Sequence, residues 1–101
     1  MSDLDTKVKP KEKAKTARPK LYKVILLNDD YTPREFVVAV LAAVFAMGPE
    51  KAYHIMATAH QKGSCVVAVF TKDVAETKAA QGADMGQRAG LPLTFTTERE
   101  E

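Results

Sequence analysis

The sequence holds one cysteine, no tryptophan, and no apolar stretch of the roughly eighteen residues that a membrane-spanning helix requires. A lone thiol cannot staple a domain, so the chain reads as a reduced, cytoplasmic protein. Cys65 lies in SCVVAVF and reads as a small buried hydrophobe, since a nucleophilic thiol needs a base beside it on an accessible surface. The opening MSDLDTKVKPKEKAK lacks the apolar middle of a secretory signal. Catalytic signatures are also missing: no GxSxG, no Gly-rich phosphate loop and no CxxC. His54 and His60 are six apart, so no two-histidine metal site at i, i+4 exists. His60, Asp29, Ser64 and Cys65 can be drawn as a catalytic set, but any small protein supplies one. The expectation is a protein without catalytic activity, metal or cofactor.

Basic charge is scarce where it would matter for nucleic acid. Residues 1–20 carry seven Lys/Arg against three Asp/Glu, a surplus of four, whereas residues 21–101 carry eight against ten, a deficit of two. A nucleic-acid-binding domain gathers its Lys and Arg on the folded face, with aromatics to stack on, and this one does not.

What is present divides in two. Residues 1–20 are Lys-rich, contain Pro10 and Pro19 and have almost nothing apolar to bury, so they read as a disordered basic arm. Residues 21–101 form one domain with a modest core. Its first strand, Leu21–Leu27, is nearly continuous in apolarity and so reads as central. Thr32 as N-cap, Pro33 at the first position and Glu35 three residues after Thr32 open a helix to about Met47. Its stripe is Phe36, Val37, Val40, Leu41, Val44 and Phe45, with Val38 beside it. Gly48-Pro49 separates it from a second helix, to Lys62, with Ala52, Ile55, Met56 and Ala59 on its apolar face. Gly63 ends that helix, and Ser64–Phe70 is a second strand. Thr71 or Asp73 caps a third helix, Val74 to about Ala89, weakened by Gly82 and Gly86 at roughly 1 kcal/mol each relative to Ala. Leu93–Thr97 is a last strand, and Glu98–Glu101 a solvated end. The order strand-helix-helix-strand-helix-strand predicts an α+β fold: one small sheet with three helices on one face.

The stretch Asn28-Asp29-Asp30 at the exit of the first strand packs three acceptor side chains together. It reads as an Asx-rich turn, as a site for a hard cation, or as a reader of an ammonium group; no DxDxDG spacing supports the second. His60 lies one helical turn after Met56, beside Ala59. It is either a boundary histidine or a neutral imidazole presenting an acceptor nitrogen into a pocket with a methionine wall.

YKVILLNDDYTPREFVVAVL, the Met56…His60 helix, VFTKDVAETKA and the terminal PLTFTTE together resemble the ClpS family over residues 21–98. ClpS is the adaptor that delivers N-end-rule substrates to the ClpA (ClpAP) unfoldase-protease. The resemblance implies a three-stranded antiparallel sheet with three helices, similar to the C-terminal domain of the ribosomal stalk protein. It implies a pocket for a substrate's free α-amino group and a large first side chain: Leu, Phe, Tyr or Trp. Asn28, Asp29 and His60 would engage the amine and the first peptide group, with Asp30 and Thr32 at the mouth. Met56, Ala59 and Leu93 would form the apolar pocket and Val37 its floor. Asp73 and Lys78 would contact the N-terminal domain of ClpA, and residues 1–20 would be gripped by the unfoldase. The chain departs from the family at two positions. Arg34 stands where a gatekeeping Met is common, and Ala59 where a larger aliphatic is frequent; together they suggest a divergent second copy of the adaptor. The alternative is a ribosomal-stalk-like assembly module whose basic arm touches RNA.

Overall fold

The computed structural model describes residues 18–101, so the expected arm lies, up to residue 17, outside the described residues. The elements are β1 (Leu21–Leu27), α1 (Arg34–Phe45), α2 (Pro49–Lys62), β2 (Ser64–Thr71), α3 (Lys72–Arg88) and β3 (Thr94–Arg99), in the predicted order. They form a three-stranded antiparallel sheet in the order β2-β1-β3, with β1 central as its apolar run implied.

Alternation sets the two faces of the sheet. Val24, Leu26, Val67 and Phe95 point inward and are buried with the helical stripes. On the other face Val66 and Val69 are exposed, and Lys23 approaches Glu98 at 3.7 Å. Val24 pairs with Ala68 and Ile25 with Val66, so Val67 is an extra residue in a bulge, and its side chain turns into the core. α2 and α3 lie on the sheet, and α1 packs chiefly across these two helices. The expected faces hold: Val37, Val40, Leu41 and Val44 of α1 and Ala52, Ile55, Met56 and Ala59 of α2 are buried. Phe45 links the layers, with its ring 5.7 Å from that of Phe95 and 6.4 Å from that of Phe70.

Helix ends depart from expectation. The Thr32–Glu35 capping box does not form; Pro33 is the N-cap of α1 and no side chain bonds its first turn. The Thr32 hydroxyl is held by Asp29 instead. α1 stops at Phe45 rather than near Met47, because Ala46 adopts the left-handed conformation (φ 54°, ψ 37°). That geometry costs an L-residue roughly 1–2 kcal/mol. Lys78 of α3 donates to the carbonyl of Val44 at 2.9 Å and so satisfies one of the orphan acceptors at that end. Gly48 is the N-cap of α2, with Pro49 in its first turn. α3 starts at Lys72 directly from β2. β3 begins one residue later than predicted and runs to Arg99, so Glu98 is strand rather than loose tail. Among the described residues no helix is long and apolar enough to cross a membrane.

Candidate functional site

Antiparallel pairing gathers four chain segments at one corner of the sheet. Leu27, the last residue of β1, is opposite Ser64, which follows Gly63 at the end of α2, and opposite Thr94, the first residue of β3. The amide of Asn28 donates to the carbonyl of Gly63 at 3.0 Å, which ties the strand exit to the end of the helix that carries His60. Gly63 makes this possible by taking φ +96°, from where its own amide donates to Ala59 at 2.8 Å.

The loop Asn28–Thr32 is folded around Asp29. One carboxylate oxygen, Oδ1, accepts from the amides of Tyr31 and Thr32, both at 2.8 Å. The Thr32 hydroxyl lies 3.0 Å from Oδ1 and 2.9 Å from Oδ2. This is the Asx-turn reading of the acidic cluster, with the carboxylate spent on loop amides rather than on the first turn of α1. Asn28 and Asp30 are exposed, and their side chains make no hydrogen bond among the described residues.

Between this loop, the start of α1 and the last turns of α2 lies a cavity of about 230 Å³. All the residues expected at the mouth and pocket line it: Asn28, Asp29, Asp30, Thr32, Arg34, Val37, Met56, Ala59, His60 and Leu93. Val37, Met56, Ala59 and Leu93 are buried and make an apolar floor; Asn28, Asp30, Arg34 and His60 are exposed at the rim. The volume is below the roughly 300–1,000 Å³ of drug-sized sites, a size that suits one amino-acid residue. Leu26 and Leu27 also line the cavity and were not singled out from the sequence. The available signal was position: they are the last strand residues before the acidic loop, so one of them had to face the same corner.

His60 is not free at the rim. The guanidinium of Arg34 lies 3.0 Å from its Nε2. A guanidinium only donates, so Nε2 is the acceptor and the ring proton sits on Nδ1. The acceptor nitrogen that one of the two sequence readings would present to a ligand therefore already has a partner. Cys65 is half-buried, and burial pushes its thiol pKa up, which disfavours the thiolate that a nucleophile needs. No cluster of three or more metal-ligating side chains forms among the described residues. Asp73 is exposed at the start of α3, while Lys78, named with it as a partner contact, is half-buried and donates to the carbonyl of Val44.

Comparison with known proteins gives a consistent result. The family model for the ATP-dependent Clp protease adaptor protein ClpS matches residues 17–96. The chain is 60% identical over 101 residues to the ATP-dependent Clp protease adapter protein ClpS 2 of Mesorhizobium japonicum, covering all of both chains. It is 63% identical over 99 residues to the ClpS 1 of Rhodopseudomonas palustris, covering 98% of this chain and 96% of the relative. Its fold is similar to that of Agrobacterium tumefaciens ClpS2 bound to L-phenylalaninamide, with a TM-score of 0.81 and 61% identity over 82% of this chain and all of the other. None of these points to the stalk-like, RNA-touching alternative.

Proposed function

The chain belongs to the ClpS family of ATP-dependent Clp protease adaptor proteins, and from that premise we propose that its cavity reads the first residue of a peptide. The ligand is a chain with a free α-amino group and a large hydrophobic first side chain, Leu, Phe, Tyr or Trp, which the adaptor hands to the protease for degradation. The protein itself performs no catalytic step.

One observation carries the reading: acceptor side chains, those of Asn28 and Asp30 without a partner among the described residues, stand at the rim of a residue-sized cavity whose floor is apolar. An ammonium has three donors and no acceptor, so it needs converging acceptors. Asn28, His60 and, behind them, Asp29 would meet it and the first peptide group, with Asp30 and Thr32 beside them. The first side chain would enter between Val37, Met56, Ala59 and Leu93. Ala59 leaves more room there than a larger aliphatic would, and the long stem of Arg34 stands over the mouth. The ligand of the Agrobacterium relative has the matching parts: a free amine, a benzyl side chain and an amide where a peptide would continue.

The reading extends to a partner. We assign delivery to the AAA+ unfoldase ClpA, docked through its N-terminal domain on Asp73 and Lys78, and place the work in the cytoplasm. Residues 1–20 would be the segment the unfoldase grips, an assignment made from composition, since residues 1–17 lie outside the described ones. The decisive experiment is a titration of peptides beginning with Leu, Phe, Tyr or Trp, each free and N-acetylated. Capping removes the charge and two of the three donors and leaves rim groups unpaired, at roughly 1–3 kcal/mol each. Free peptides should bind at least about tenfold more tightly. Equal affinity for free and capped peptides overturns the reading.

A further inference from the structure

We infer that Arg34 is a displaceable latch, a positioning residue that occupies the ammonium-reading atom of His60 until a free amine takes its place; this rests on the function proposed above. The guanidinium of Arg34 donates to Nε2 of His60 at 3.0 Å, across the mouth of the cavity that both residues line. A neutral imidazole has one acceptor lone pair. An incoming ammonium and the guanidinium therefore cannot both use it, and a ligand that is to bond His60 must displace Arg34.

The displaced side chain has somewhere to go. Arg34 also borders a second, shallow groove between the start of α1 and α2, formed with Glu35, Val38, Tyr53 and Met56. There its aliphatic stem can lie on Val38 and its head can meet the Glu35 carboxylate or the face of the exposed Tyr53 ring. The two seats are joined by rotation about the Arg34 side chain, with no movement of the helix it starts. The closed seat is an exposed hydrogen bond, so it is weak enough to be broken by a ligand. An acetylated peptide keeps one neutral N–H there, a weaker donor than the charged guanidinium, and leaves the latch shut. Affinity for free amines is thus lowered by the latch, and affinity for capped peptides is not. An apolar residue at position 34, lacking any donor, would leave His60 open.

The test compares the full-length chain with its Arg34→Met variant, both in a His54→Gln background so that one imidazole remains. Nitrogen-15 NMR above pH 8 reads the tautomer, and titration with a Phe-initiated peptide, free and acetylated, reads the competition. The wild type should hold the proton on Nδ1, and Arg34→Met should move it to Nε2. The variant should bind the free peptide about 2- to 10-fold more tightly, the range for one net hydrogen bond, and the acetylated peptide unchanged. The gain should persist at about 0.5 M salt, where exposed charges beyond roughly 4 Å are screened. An Nε2–H tautomer in the wild type, no gain in the variant, or a gain that vanishes in salt (mere charge repulsion) each overturns the latch. If neither protein binds any free-amine peptide, the amine reading falls and the competition with it. The tautomer then still shows whether Arg34 holds His60.

Discussion

The Asp29 carboxylate accepts from two loop amides and one hydroxyl, and it also borders the mouth of the cavity. Two substitutions separate these roles. Asp29→Ala removes every acceptor and frees the loop that holds Asn28 in place, so peptide binding should fall by about 2 kcal/mol or more, as for truncating one partner of a buried charged pair. Asp29→Asn keeps one carbonyl oxygen for the amides of Tyr31 and Thr32 while losing the charge. If Asp29 acts chiefly through the loop, the Asn variant should lose less than about 1 kcal/mol, and anisotropy titration of a labelled Phe-initiated peptide would show it. Equal losses for both variants would mean that the charge itself is read. This division was hidden in the sequence, where Asn28, Asp29 and Asp30 look alike. Thr32 also looked like a helix cap because its spacing to Glu35 was right. The hydroxyl instead donates to Asp29 three residues upstream, and local spacing does not show toward which segment a side chain is held. The contact between Arg34 and His60 was equally hidden, since it joins residues 26 apart on different helices.

At the level of elements, the two glycines of α3 reverse their apparent meaning. By propensity each weakens the helix, and replacement by Ala should gain roughly 1 kcal/mol. Both are buried, however, and each marks a place where the helix backbone closely approaches β3 or the residues just before it. A Cβ on Gly82 would stand 2.5 Å from Cε1 of Phe95, whose ring is already fixed against Phe45. A Cβ on Gly86 would stand 2.7 Å from Cβ of Leu93 and 3.4 Å from the carbonyl of Leu91. Neither neighbour is the free end of a flexible side chain. Gly82→Ala and Gly86→Ala should therefore each destabilise the domain by about 1–3 kcal/mol, read as a lower urea midpoint at unchanged slope. Gly86→Ala should also weaken peptide binding more than Gly82→Ala, because Leu93 is a wall of the cavity. A rise in midpoint for either variant would show that the helix simply moves away. Element type and order were legible because the apolar stripes of α1 and α2 and the run of β1 are strongly periodic. The glycines were misread because their partners lie on another element, and propensity carries no information about close approach.

For the whole molecule, the strand that organises the sheet also separates its two proposed tasks. Asn28, at the exit of β1, opens into the cavity. Leu21, at its entrance, pairs with Thr71, immediately before Lys72 and Asp73 of α3. Seven residues of strand set these ends roughly 20 Å apart. Residues 18–20 lead into the sheet at Leu21, the Asp73 end of β1. The sequence showed both groups of residues but not their separation, which follows only from the antiparallel register. If the ends work independently, changes at one should leave the other intact. Removing residues 1–17 should leave the affinity for a free Phe-initiated peptide within about twofold, less than the roughly 1 kcal/mol of one net hydrogen bond. Degradation of a Phe-initiated substrate by the ClpA-containing protease should nevertheless cease. Asp73→Ala should likewise spare peptide binding and lower the affinity for the ClpA N-terminal domain. Lys78→Ala is the less clean probe, because it also uncaps the Val44 carbonyl and should lower stability with no partner present. Loss of peptide affinity on removing residues 1–17 would place the arm at the mouth, and the separation of tasks along β1 would be wrong.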